Sequence, residues 1–160
     1  MKKILDDAGL AAWRSFLVAH KTLIEVIEHE LALAVLPPLG WYDVLLAIED
    51  AAERKLRMHE LSDAIVLSRS NLTRLVDRMV AAGLLAREAC PTDRRGAYAV
   101  LTDDGLAMRR RMWPVYARCI DQFFARHLSA TEAKVFAEAL ERAIDGARDV
   151  APTLVKADQP

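Results

Sequence analysis

The sequence predicts a mostly α-helical chain with one small β-hairpin, ordered as long helix, helix–turn–helix, hairpin and long helices. Three observations carry this. An apolar heptad runs through the first thirty-odd positions, two short helix signals precede Gly83, and a pair of extended runs flanks a Pro-, Asp- and Gly-containing loop at 91–96. With 160 residues, 53% hydrophobic and 28% charged, the chain is one domain's worth and can fill a core.

Leu10, Leu17, Ile24 and Leu31 recur every seven residues, and Trp13, His20, Ile27 and Ala34 follow three places later. This narrow seam predicts a helix from about Asp7 to Leu36 that packs along other helices, in this chain or in a partner. Pro37-Pro38-Leu39-Gly40 should break it, because proline clashes with the preceding turn. Trp41, Val44, Leu45 and Ile48 keep the helical spacing of a second helix.

Two short helices are expected next, His59–Ile65 and Ser68 to Gly83. Ser68 offers a capping hydroxyl and Gly83 the left-handed stop. Leu72, Leu75, Val76 and Met79 share one face, which leaves Arg69, Ser70, Asn71, Thr73 and Arg74 to the other. Leu84–Ala89 and Ala97–Leu101 form the hairpin, the only convincing strand signal. Thr102 with Asp103 and Asp104 opens a further helix, where acids suit the positive end. Pro114 should kink that helix, and Arg109-Arg110-Arg111 reads as a solvated face. Ser129-x-x-Glu132 is a capping box for the last helix, and the tail from Pro152 should fray.

Composition removes several classes. No apolar run approaches the roughly 18 residues of a membrane span. Asp6 and Asp7 stand where a secretory signal would be apolar. Two cysteines, Cys90 and Cys119, make no disulfide framework, so a cytoplasmic location is expected. The net charge is −1, but residues 54–95 hold nine Lys/Arg against five Asp/Glu, leaving 13 basic and 18 acidic residues elsewhere. A basic block in an acidic chain fits a module that meets phosphates.

Helix, turn, helix and then a basic-tipped hairpin is the order of a winged helix-turn-helix. A recognition helix places its first turns at base edges in the major groove, where short donors and arginines belong. Ser68, Arg69, Ser70, Asn71, Thr73 and Arg74 supply them. Arg94 and Arg95 at the hairpin tip supply the cations that a neighbouring minor groove attracts.

Here the chain resembles the MarR family of transcriptional regulators. The likeness rests on Ser68-Arg-Ser-Asn-Leu-Thr-Arg-Leu-Val-Asp-Arg-Met-Val-Ala-Ala-Gly83-Leu-Leu-Ala-Arg87, then Asp93-Arg94-Arg95, then Leu101-Thr102-Asp-Asp-Gly105. The resemblance implies a winged helix-turn-helix flanked by long N- and C-terminal dimerisation helices. By that likeness residues 1–40 are the N-terminal dimerisation helix, 41–101 the DNA-binding lobe, 102–150 the C-terminal dimerisation helices and 151–160 a tail. It implies that Ser68, Arg69, Ser70, Asn71, Thr73 and Arg74 face the major groove. Arg95 would enter the minor groove, Asp93 orient it, and Arg94 meet a phosphate. Val66 stands where relatives often have a turn glycine, so that turn should take another conformation.

The partners expected are double-stranded DNA, as a pseudo-palindromic operator with half-sites about 10 bp apart, and a second copy of the chain. The resemblance also implies a repressor released by a small aromatic carboxylate. Trp13 and His20 share a seam position, Arg14 can pair with a carboxylate, and Phe16, Trp41 and Trp113 can wall a pocket. A thiol-based redox regulator, with Cys90 as the more accessible sulfur, is an alternative. So is a winged helix that binds protein rather than DNA. No cofactor, metal or membrane partner is expected. Ligand-pair spacings are missing among His20, His29, His59, His127 and the cysteines, and no nucleophile–base pair marks an enzyme.

Overall fold

The computed structural model describes residues 5–65, 69–90 and 97–157, with backbone only for 69–70 and 149–157. Six α-helices and three strands follow one another among these: α1 (Asp7–Leu33), α2 (Leu39–Glu49), β1 (Lys55–Arg57), α3 (Met58–Ala64), α4 (Arg69–Ala81), β2 (Leu85–Ala89), β3 (Ala97–Leu101), α5 (Asp103–Phe123) and α6 (Ala130–Ala157). The backbone gathers into two units, Met1–Cys119 and Ile120–Pro160.

In the first unit, α2, α3 and α4 close over the sheet around a core of Val44, Leu45, Ile48, Leu61, Leu72, Val76, Met79 and Ala99. Trp41, Leu56, Met58 and Ile65 pack against it. The apolar face expected of α4 is the buried one: Leu72, Leu75, Val76 and Met79 are each 5% exposed or less. Gly83 ends the helix as predicted. Its φ is +75°, and the Gly83 and Leu84 amides donate to the carbonyls of Val80 and Met79, both at 3.0 Å.

The hairpin forms in the expected place, with Leu85 opposite Leu101 and Ala89 opposite Ala97. A third strand, β1, was not expected. It pairs antiparallel with the other edge of β3, Lys55 opposite Val100 and Arg57 opposite Tyr98, so the sheet order is β1-β3-β2. Lys55-Leu56-Arg57 alternates over only three residues, too few to announce a strand, and its pairing is dictated by the free edge of β3.

Helix α1 stops at Leu33, three residues short of the expected end and before the prolines act. Val35 takes φ +56°, its amide donates to Ala32 O, and the Leu36 amide donates to Leu31 O, both at 3.0 Å. This is the αL termination that glycine usually supplies, here built on a β-branched residue. The Glu28 carboxylate of α1 then accepts the Leu39 amide at 3.1 Å, tying α1 to the start of α2.

Helix α5 starts at a shared joint. Thr102 Oγ1 donates to Gly83 O at 2.7 Å and accepts the Gly105 amide at 3.0 Å. A Cβ on Gly105 would overlap the Leu84 carbonyl. The basic run on this helix is only partly solvated. Arg110 and Arg111 are exposed, but Arg109 turns inward to Glu49 of α2, donating from Nη2 to Oε1 at 2.9 Å. Burial pulls the Arg109 proton affinity down, and hydrogen bonds to Glu49 and Tyr42 outweigh that and leave it raised.

In the second unit, the Ser129–Glu132 capping box forms as predicted. The Ser129 amide donates to Glu132 Oε2 at 2.8 Å, and the Glu132 amide donates to Ser129 Oγ at 3.3 Å. The Ser129 hydroxyl, donating to Glu132 Oε2 at 2.7 Å, and then the Ser129 amide hold the Glu132 carboxyl below its ordinary range. Phe124 and Phe136 meet at 6.0 Å between ring centres. Helix α6 does not fray at Pro152 but runs to Ala157. One proline removes a single N–H bond, which a long helix tolerates with a local bend.

Candidate nucleic-acid interface

Burying one face of α4 decides what the other face offers. Asn71, Thr73, Arg74, Asp77 and Arg78 are exposed, and Asn71, Arg74, Asp77 and Arg78 border one shallow open groove. Of the predicted contact residues, Arg69 and Ser70 lie in the first turn of the same helix, so the backbone puts them at the expected end. Ser68, Asp93, Arg94, Arg95 and the unusual turn residue Val66 lie outside the described residues.

What the structure does describe is the root of the hairpin and how it is braced. Arg87 of β2 reaches α4, Nη2 to Asp77 Oδ1 at 2.6 Å. On the other side of the sheet's centre strand, Arg57 donates from Nε to Tyr98 OH at 3.3 Å and lies over the Tyr98 ring, with Lys55 also facing that ring at 5.4 Å. Cys90, the last residue before the tip, points its Sγ to the same hydroxyl at 3.9 Å. The Arg57 amide in turn donates to Glu60 Oε2 at 2.8 Å, which caps α3. Asp77, on the outward face of α4, is thus paired within the chain. The roles of Lys55, Arg57, Arg87 and Tyr98 went unread because each depends on strand register.

The six residues singled out for a small-molecule site fall into three neighbourhoods. Trp13, Phe16 and His20 line up along α1, with ring centres 6.0 and 6.3 Å apart, and Trp13 is 55% exposed. Arg14 is exposed beside them. Trp113 stacks on Tyr42 at 6.2 Å and meets Tyr116 edge-on. Trp41 belongs to the helix-turn-helix core.

The thiols are less available than expected. Cys90 is 5% exposed and Cys119 1%. Burial, then the nearby Glu30, pushes the Cys119 thiol up, away from the reactive thiolate.

Helix–turn–helix, three-stranded sheet and basic-flanked hairpin define a winged helix-turn-helix protein. Residues 36–96 match the model of the MarR family. Among solved structures, AbsC, a MarR family transcriptional regulator from Streptomyces coelicolor, superposes with a TM-score of 0.82 at 29% identity, over 92% of this chain and 99% of that one. Sco3205 from the same organism, a MarR family regulator solved in complex with DNA, gives 0.82 at 29% identity over 90% and 91%. Among curated proteins, the HTH-type transcriptional regulator MhqR of Bacillus subtilis (strain 168) is 33% identical over 85 residues, 53% of this chain and 58% of MhqR. The transcriptional repressor MprA of Escherichia coli (strain K12) is 32% identical over 55% of this chain and 49% of its own length. The matched stretch thus spans about half the length of these curated relatives. Residues 36–96 thus carry the MarR family pattern, and the chain shares its fold with solved MarR family regulators.

Proposed function

We propose that the protein is a non-enzymatic, DNA-binding transcriptional regulator that acts as a homodimer on a pseudo-palindromic operator. The observation that carries this reading is the polar face of α4, with Asn71, Thr73 and Arg74 outward and four apolar residues inward, beside a hairpin whose tip sequence is Asp93-Arg94-Arg95. Asn71 and Arg74 match side chains that read adenine and guanine edges, and an arginine-bearing wing matches a narrow minor groove. The 29%-identical Sco3205 is solved in complex with DNA, which agrees. Ser68, Arg69 and Ser70 complete the major-groove set. Asp93 orients Arg95, and Arg94 meets a phosphate.

Dimerisation is supported by apolar side chains left outside both units. On α1, Trp13, Leu17 and Val18 are 46–66% exposed; on α6, Val135, Phe136 and Ile144 are 38–58% exposed. Two copies double the base readout that one module supplies. We further read the regulator as a repressor, as the relative MprA is named. A small aromatic carboxylate would release it, held by Trp13, Arg14, Phe16 and His20 of α1 with Trp41 and Trp113. Within one chain these six lie in three neighbourhoods, and what supports the reading is the aromatic surface that Trp13 and Trp113 leave exposed. A cytoplasmic location follows from the DNA partner.

The test is titration of the full chain into DNA from its own upstream region at stepped salt concentrations. Steep salt dependence is expected, since each neutralised phosphate adds about 0.9 to the slope. Arg95→Ala should weaken binding across sequences, and Asn71→Ala should relax base preference by about 1–3 kcal/mol. Absence of binding at low ionic strength refutes the regulator reading. DNA that stays bound under a panel of aromatic carboxylates refutes the release reading alone.

A further inference from the structure

The Asp77–Arg87 pair poses an electrostatic problem that the DNA-binding reading does not explain. Asp77 lies on the exposed face of α4, bordering the same groove as Asn71 and Arg74. A carboxylate there repels the phosphates that the face is meant to approach. Its partner comes from a different element. Arg87 stands in the middle of β2, opposite Ala99 of β3 and three residues before Cys90, where the described part of the hairpin ends. The contact is 2.6 Å and both side chains are partly exposed, 59% for Asp77 and 38% for Arg87.

We propose that Asp77 and Arg87 are positioning residues, a strut that fixes the wing strand to the recognition helix and so sets the distance between the two DNA-reading elements. The inference rests on the proposed DNA-binding function. Three features of the geometry support it. β2 is an edge strand, bonded on one side only to β3, so its outer side depends on side chains for restraint. The guanidinium is already engaged, which makes it a poor phosphate ligand in its present place. The opposite flank of the sheet has its own brace, Arg57 on Tyr98, so the hairpin root is held from both sides. An exposed ion pair of this kind shifts a conformational equilibrium by no more than about fivefold, which bounds the effect expected.

The competing assignments predict opposite signs. If Asp77 is only a misplaced charge, Asp77→Asn strengthens DNA binding. If Arg87 is a phosphate ligand, Arg87→Ala lowers the salt slope by about one contact. A strut predicts that Asp77→Asn and Arg87→Ala each weaken binding about three- to fivefold with the salt slope kept, and that the double variant is no worse than either alone. It also predicts faster amide exchange in β2 and the outer rungs of β3 in the free protein, for both variants. Tighter binding by Asp77→Asn, a reduced slope for Arg87→Ala, or unchanged exchange overturns the strut. If the parent chain binds no DNA, the regulator reading fails, and the strut then stands or falls on the exchange measurement.

Discussion

Single side chains explain why the sequence signature after the hairpin has the form it does. Thr102 serves two helices at once, donating to the Gly83 carbonyl just past α4 and accepting from the first turn of α5, and Gly105 is the residue where α5 touches the Leu84 carbonyl. Leu101-Thr102-x-x-Gly105 is therefore a joint, and its glycine is required by close approach rather than by backbone conformation. Gly105→Ala should cost about 3 kcal/mol, the upper end of what overpacking does, read as a lower denaturant midpoint at unchanged slope. Asp43 offers a pH test. Partial desolvation, then the neighbouring Glu28, raises its carboxyl above the ordinary range, and because Asp43 stays open to solvent the effect on stability is small. A carboxyl raised by folding is destabilising once ionised, so its penalty is present at neutral pH and relieved as pH falls through the raised value. Asp43→Asn should raise the urea midpoint at pH 7. That gain should close with acidification and vanish below the ordinary aspartate range near 3.8.

Helix ends and strands differ in how far the sequence alone foretells them. Where a terminus is set by a local bond, the sequence declares it: Gly83 stops α4, and Ser129 with Glu132 starts α6. The hairpin is equally plain, because both strands carry their own extended signal around a turn-forming loop. The end of α1 was misplaced because Val35 adopts a conformation that its residue type resists. Val35→Gly should accordingly stabilise the protein by about 1 kcal/mol, visible as a higher melting temperature with unchanged helical circular dichroism. Strand β1, the inward turn of Arg109 and the Arg87–Asp77 contact were invisible for another reason. Each is decided by a partner at least ten residues away, which no local spacing reports. Of the candidate interface, the outward face of α4 was readable from helical periodicity. The braces at the hairpin root were not.

For the assembled protein, the long seam of α1 is the informative surface. Its C-terminal half is satisfied within the chain, with Ile27 at 6% and Leu31 at 0% exposed. Its N-terminal half is not, since Trp13 and Leu17 remain 55% and 46% exposed. The heptad thus changes role midway, from core to surface, and in the proposed homodimer a second copy would cover the outer part. Leu17→Glu should leave the fold intact, because the position is exposed in the single chain. It should shift sedimentation from dimer to monomer and abolish cooperative operator binding with it. A variant that stays dimeric would move the interface away from α1.

One further consequence belongs to the Thr102 joint. Helix α5 runs from Asp103 to Trp113 before it meets Pro114, an arm of about 16 Å. With its near end pinned beside the tail of α4, a sideways displacement of roughly 3 Å at Trp113 amounts to a rotation of roughly 10° at the pin. The hydroxyl of one threonine thus makes a lever of the helix, and any load that tilts it is delivered at the heel of the helix that would lie in the groove.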